Sequence, residues 1–181
     1  MEKYKFTDES IEFEGRKLFR IVALRDFGVI KCGDLGGFVE CFDNLSQYGN
    51  AWVCDNAKVF GDAMVCGNAW VYNDATVCGN ATVYDDAAVC GNATVCGNAK
   101  VYGNAKLCGD ATVCCNADYI VFKNWWSSGR YFTWTRSNNM WSVGCFYGTG
   151  AELVKKAYAD SEKSGIEYER IVNYVENIIS K

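Results

Sequence analysis

From Ala51 to Asn116 the chain repeats one pattern of apolar and polar positions through eleven consecutive six-residue blocks. Each block opens with Ala, follows with a variable residue, places Val (Leu at 107) third and Cys, Tyr or Phe fourth. In all but the last block the fifth and sixth residues are drawn from Gly, Asn and Asp. Strand side chains alternate with period two, so the first and third residues point to one side and the variable second residue to the other. Gly, Asn and Asp tolerate the left-handed backbone, so each block reads as one short wall followed by one corner. A single block cannot bury its Ala and Val, so successive blocks must stack into a solenoid.

Blocks such as Val77-Cys78-Gly79-Asn80-Ala81-Thr82 carry a resemblance to the hexapeptide-repeat left-handed parallel β-helix, a triangular prism with three blocks per coil. The resemblance implies that residues eighteen apart stack, at about the 4.8 Å spacing of neighbouring strands. It also implies a short prism of between three and four coils, roughly 17 Å tall. Two weaker blocks, Val39 to Asn44 and Leu45 to Asn50, extend it toward the N-terminus because Val39 and Leu45 stay apolar and Asp43-Asn44 and Gly49-Asn50 keep the corner residues.

The stacking sorts the rest of each block into columns. One fourth-position column holds Cys54, Tyr72, Cys90 and Cys108, a second Phe60, Cys78, Cys96 and Cys114, and a third Cys66, Tyr84 and Tyr102. Neighbours in a column fall within disulfide range, so a pair such as Cys78 and Cys96 could oxidise in air. Reduced thiols are nonetheless expected, because eleven is an odd number of cysteines and Met1-Glu2-Lys3-Tyr4-Lys5 lacks the apolar run of an export signal. A linear column does not offer the tetrahedral ligand set zinc prefers, so no metal and no cofactor is expected. Of the outward positions, Thr76, Thr94 and Thr112 make a face too small to order ice. Trp52 and Trp70 stack on another wall, where they form either a partner surface or a shelf covered by the N-terminal segment.

The flanks change character where a solenoid needs closing. Ser10 to Glu14 and Lys17 to Leu24 read as strands about a Glu14-Gly15 turn, placing an N-terminal β cap over 1–38 ahead of the prism at 39–117. The stretch Leu18-Phe19-Arg20-Ile21 through Asp26-Phe27, with Gly33 to Glu40 and Asn44-Leu45-Ser46, resembles the opening of bacterial and prophage hexapeptide proteins of unknown function, one of them labelled acetyltransferase-like on its repeats. In 118–181, three strands (Asp118 to Asn124, Arg130 to Arg136, Met140 to Tyr147) precede two helices. The capping signatures Thr149-Gly150-Ala151-Glu152 and Ser164-Gly165-Ile166-Glu167 mark where those helices begin. Tyr168, Ile171, Val172, Val175, Ile178 and Ile179 form an apolar stripe expected to lie on the small sheet. The predicted fold is therefore mainly β: a left-handed parallel β-helix with a β cap at one end and a small sheet plus two helices at the other.

Charge follows this layout. The whole chain carries a net charge of −4. Residues 51–117 hold three lysines against six aspartates, whereas 118–148 hold Lys123, Arg130 and Arg136 against Asp118 alone. That basic segment is also dense in aromatics, and alternation sets Arg130, Phe132, Trp134 and Arg136 on one face. Interleaved arginine and aromatic side chains suit a protein hot spot or stacked bases. Trp125, Trp126, Arg130, Trp134 and Arg136, with Trp52 and Trp70, are the candidate partner-binding residues. The plainer alternative packs one face of the sheet on the helices and the other on the last coil.

Catalysis has less to stand on. The chain contains no histidine, and the acyltransferases and carbonic anhydrases that the resemblance brings in rely on histidine as base or metal ligand. Asp62, Asp74, Asp86 and Asp110 occupy corners that Asn fills in sister blocks, which makes them turn residues. No catalytic residue is expected. The functional expectation is a non-catalytic, cytoplasmic, macromolecule-binding protein of phage or prophage type. Its expected partner is a protein, such as a host defence nuclease or nuclease–RNA complex inhibited in the manner of an anti-CRISPR or anti-restriction factor. Direct nucleic-acid contact would run through the basic aromatic sheet, self-association remains open, and no membrane is involved. The alternatives are an acyltransferase with a base other than histidine and a self-assembling structural solenoid.

Overall fold

A computed structural model describes residues 2–124 and 127–180. The chain opens with β1 (Tyr4–Phe13) and β2 (Arg16–Ala23), an antiparallel hairpin turned at Glu14 and Gly15, followed by β3 (Leu35–Val39). Each block then supplies one two-residue strand. These are β4 (Trp52–Val53), β5 (Lys58–Val59), β6 (Met64–Val65), β7 (Trp70–Val71), β8 (Thr76–Val77) and β9 (Thr82–Val83). They continue as β10 (Ala88–Val89), β11 (Thr94–Val95), β12 (Lys100–Val101), β13 (Lys106–Leu107) and β14 (Thr112–Val113).

Every third strand pairs in parallel and the strands form three walls: β4-β7-β10-β13, β6-β9-β12, and β5-β8-β11-β14. The third wall continues through β3 into β2 and β1, so the hairpin and the solenoid share one seven-stranded sheet. Trp52 lies opposite Trp70, Thr76 opposite Thr94, and Thr82 opposite Lys100, a constant step of eighteen residues. The result is a β-solenoid of about four turns. Its core is the paired Ala and Val rows, buried from Ala51 to Val113, as the period-two reading requires.

The corners follow the backbone chemistry. At the fifth position of every block but the last, where Cys115 is extended, φ is positive: 56° at Asp55, 59° at Asn73, 57° at Asp85, and 65° at Gly103. Sixth-position amides and carboxylates then bond down the corners, as in Asn50 to Asn68 (3.2 Å), Asn68 to Asp86 (3.0 Å) and Asn92 to Asp110 (2.9 Å). Asp74, Asp86 and Asp110 are thus acceptors in corner ladders, while the left-handed turn sits one residue earlier.

Four expectations need correction. The coil containing Val39 and Leu45 has both side chains buried, but Val39 pairs with Val59 and Leu45 with Val65, a step of twenty. Ser46 to Asn50 fills a corner that Cys66 to Asn68 fills one coil later, which accounts for the two extra residues. The cysteines are not all reduced: Cys90 and Cys108 are joined by a disulfide, their Cα atoms 4.8 Å apart because the register stacks them directly, whereas Cys78 and Cys96 are free thiols. The C-terminal sheet has four strands in the order β15 (Tyr119–Lys123), β16 (Tyr131–Thr135), β17 (Met140–Val143) and β18 (Phe146–Gly148), since Gly144 at φ 58° breaks the expected third strand into a hairpin. Finally, α1 (Gly150–Asp160) ends and α2 (Glu162–Ile179) begins three residues earlier than the Ser164 signature suggests. Ser161 is the residue that caps α2, accepting the Ser164 N–H.

The two helices pack on one face of the small sheet. Phe132, Trp134, Trp141 and Val143 meet Leu153, Ala157, Tyr168, Val172 and Val175 in a second core. Gly165 is buried against the Tyr158 ring where any side chain would collide, which lets α1 and α2 approach closely. Ile178 and Ile179, at the far end of the apolar stripe, stay exposed. Among the described residues no helix is long and apolar enough to cross a membrane.

Candidate binding groove

The site arises from the way the last coil is closed. A terminal coil leaves backbone groups with no next strand to pair with, and unpaired backbone groups must find partners. Here one side-chain oxygen meets an outward N–H on each wall. Lys100 N–H donates to Asn116 Oδ1 (2.8 Å), Lys106 N–H to Thr133 Oγ1 (2.9 Å), and Thr112 N–H to Ser137 Oγ (2.7 Å). The Asp118 carboxylate accepts from the N–H groups of Cys114 and Cys115, and these bonds help hold it below its usual range. The Tyr119 hydroxyl donates to the Lys100 carbonyl at 2.7 Å. Alternation along β16 makes this work: Phe132 and Trp134 face the helices while Thr133 faces the coil.

The small sheet bridges the end of the prism without sealing it along one edge, and a groove runs through the seam. Its first part, about 410 Å³, lies between the corner at Tyr102, Gly103 and Asn104 and the sheet residues Tyr119, Val121 and Tyr131. A second part of about 250 Å³ shares Asn104 and Tyr131 and continues past Lys106, Arg130 and Ser142. The tyrosines are arranged with some care. Tyr102 stacks on Tyr84 one coil earlier, centroids 5.3 Å apart and planes 14° from parallel. Lys123 Nζ lies 5.1 Å from the centre of the Tyr131 ring. Burial, then the neighbouring Tyr102 phenol, pushes Tyr119 up to about 12, so it stays a neutral donor at physiological pH. The charges here are cationic: Lys106, whose ammonium reaches the Gly144 carbonyl at 3.3 Å, together with Lys123 and the exposed Arg130. Among the described residues no carboxylate lines either part, in a chain with 22 acidic residues against 18 basic ones.

The residues singled out from the sequence are dispersed. Only Arg130 lies in the groove. Trp134 is 2% exposed and its indole N–H donates to Asn139 Oδ1 at 2.8 Å, which places it in the helix–sheet core rather than on a binding face. Arg136 is exposed at the opposite end of β16, its backbone N–H bonded to the Asp118 carbonyl. Trp52 is fully buried beneath Tyr4 and Phe27, so the N-terminal segment covers it and it offers no surface. Trp70, next in that stack, is half-buried against the prism core. Trp125 and Trp126 lie outside the described residues. Sequence reasoning missed Tyr102, Asn104, Tyr119 and Tyr131. The available signal was the fourth-position column in which Tyr84 and Tyr102 follow Cys66, next to the aromatic segment that begins three residues after Asn116.

The opposite end of the prism is closed by donors. Lys3 Nζ reaches the Ala51 carbonyl at 2.9 Å, the Tyr4 hydroxyl the Leu45 carbonyl at 2.8 Å, and the Arg20 guanidinium the carbonyls of Gly36 and Asp55. Burial, with Arg25 nearby, lowers Lys3 to about 8.

Against known proteins, a family model described as the YdcK beta solenoid repeat matches residues 75–91. That span begins at Ala75 on the wall of β8 and ends at Gly91, the corner after β10, so the similarity is to one coil of the repeat. No curated protein matches the chain.

Proposed function

We propose that this chain is a non-catalytic macromolecule-binding protein, one of the hexapeptide-repeat left-handed β-helix proteins of bacteria and their prophages. In this reading it acts by occupying a host defence nuclease or its nuclease–RNA complex. The groove at the seam carries the proposal: it gathers tyrosines and cations in a chain whose overall charge is negative. The prism supplies a rigid mount for it. Five of the repeat's six carboxylates are meanwhile engaged structurally, with Asp74, Asp86 and Asp110 in corner ladders and Asp55 and Asp85 accepting backbone N–H groups one coil on. Groups so tied are poorly placed to act as general bases.

The test is a cleavage assay on a purified host nuclease first recovered by affinity capture on this protein. Stoichiometric loss of cleavage is the expected result. Unimpaired cleavage at saturating protein, with the complex demonstrably formed, would sink the inhibitory reading.

A further inference from the structure

Resting on the reading of this chain as a binding protein, we infer that the seam groove takes a single-stranded oligonucleotide segment, bases on the tyrosines and phosphates on the flanking cations. Three observations carry this. First, the aromatic surfaces are arranged as platforms: one face of the Tyr102 ring is backed by Tyr84, and Tyr102 itself is 49% exposed. Tyr131 lines both parts of the groove with Lys123 over its ring. Single-strand binders use this combination, since every base has a π-face and stacking on an aromatic ring is insensitive to sequence.

Second, the charge is complementary. Lys106, Lys123 and Arg130 flank the tyrosines, and among the described residues no carboxylate lines the groove, the Asp85 carboxylate beside it being bonded to the Gly103 N–H, so phosphates would meet a locally cationic surface although the chain as a whole repels them. An acidic protein segment would share the charge term but has no use for the stacked ring pair. Third, polar groups that could read a base edge stand between the platforms. Asn104 belongs to both parts of the groove. The corner ladder in which Asn50 donates to Asn68 and Asn68 to Asp86 ends there, with no bond between Asn104 and Asp86 among the described residues, which leaves the Asn104 amide available.

The experiment is fluorescence anisotropy of the full-length protein with a fluorescein-labelled oligouridylate at low salt, repeated with rising sodium chloride. Saturable binding that weakens as salt is added is expected. Tyr131→Ala and Tyr102→Ala should each weaken it about tenfold, Tyr131→Phe should retain it, and Arg130→Glu should lower affinity and flatten the salt dependence. Tyr48→Ala, an exposed tyrosine at the far end of the same corner, should change nothing; thermal melts followed by circular dichroism establish that each variant is folded. Absence of saturable binding overturns the proposal, as does undiminished binding by folded Tyr131→Ala and Arg130→Glu. Displacement of the oligonucleotide by polyglutamate at equal charge concentration, undiminished in Tyr131→Ala, would assign the groove to an acidic protein instead. Nuclease inhibition that persists without oligonucleotide binding overturns this inference and leaves the proposed function standing. Binding without inhibition supports the inference and overturns the nuclease reading.

Discussion

At the fifth position of every block but the last the backbone turns left-handed, and the side chain there decides whether the corner is a turn alone or also a tie between coils. Gly91 and Gly103 give only the turn. Asp55 and Asp85 accept the N–H groups of Asn73 (2.9 Å) and Gly103 (3.2 Å) on the following coil. Asp85→Gly should therefore keep the turn and lose one exposed hydrogen bond, at a cost of about 0.5–1.5 kcal/mol. Asp85→Val also forces a β-branched residue to φ 57°, adding about 1–3 kcal/mol. Urea midpoints that fail to rank the variants in that order would show the corner is not held this way. Titration acts at the same scale. Burial and Asp55 push the Cys54 thiol up to about 12, and burial with Cys114 does the same for Cys96. Both folded values exceed the unfolded value of about 8.5, so their contribution is complete below that pH and is lost as pH rises toward the folded values. Lys3 works oppositely: lowered to about 8 in the folded chain, it makes stability rise from there to about 10.4. Two thiols outweigh one amine, so urea midpoints should fall from about pH 9 upward. Cys54→Ala and Cys96→Ala should flatten that fall relative to their own neutral-pH values.

Between elements, the legible part of this fold was whatever one strand or helix could encode by itself. The walls, the corners and the inward Ala and Val rows follow from alternation and left-handed turn residues. Pairings between elements were harder. Leu45 to Asn50 imitates a block, yet its corner holds two residues more than a block allows, and only contact with Val65 reveals the shift. Ser161 caps the second helix although Ser164, three residues on, carries an equally good local signature, and the hairpin at Gly144 shows only once β18 folds back on β17. The closing of the last coil is the clearest case, because Asn116, Thr133 and Ser137 are unremarkable polar residues until the sheet lies across the prism. Their role predicts a specific outcome. Asn116→Ala, Thr133→Val and Ser137→Ala should each cost about 1 kcal/mol. In hydrogen exchange each should speed one amide selectively: Lys100, Lys106 and Thr112 respectively. Uniform acceleration across the prism would mean that the sheet had detached instead.

Over the whole molecule, the candidate binding surface was less legible than the fold. Phe132 and Trp134 share the helix-facing side of β16, as period-two alternation expects, but Arg130 and Arg136 lie beyond the ends of the strand and are exposed, Arg130 in the groove beside Tyr131 and Thr133, so the expected row splits into core and surface. The groove belongs to neither module, which is why Tyr102 from a corner and Tyr131 from a strand could not be joined by reading along the chain. The same closure bears on assembly. A solenoid polymerises end to end when its terminal coils present open strand edges. Here the last coil gives its outward N–H groups to Asn116, Thr133 and Ser137, while carbonyls at the first coil receive Lys3, Tyr4 and Arg20. Another prism would have to displace these bonds to stack. The mass measured by light scattering should therefore stay constant as protein concentration rises, whereas the combined Asn116→Ala, Thr133→Val, Ser137→Ala variant, with one edge reopened, should gain mass with concentration. Growth of the wild-type chain would show that the cap dissociates readily, and would favour a self-assembling solenoid over a closed binding scaffold.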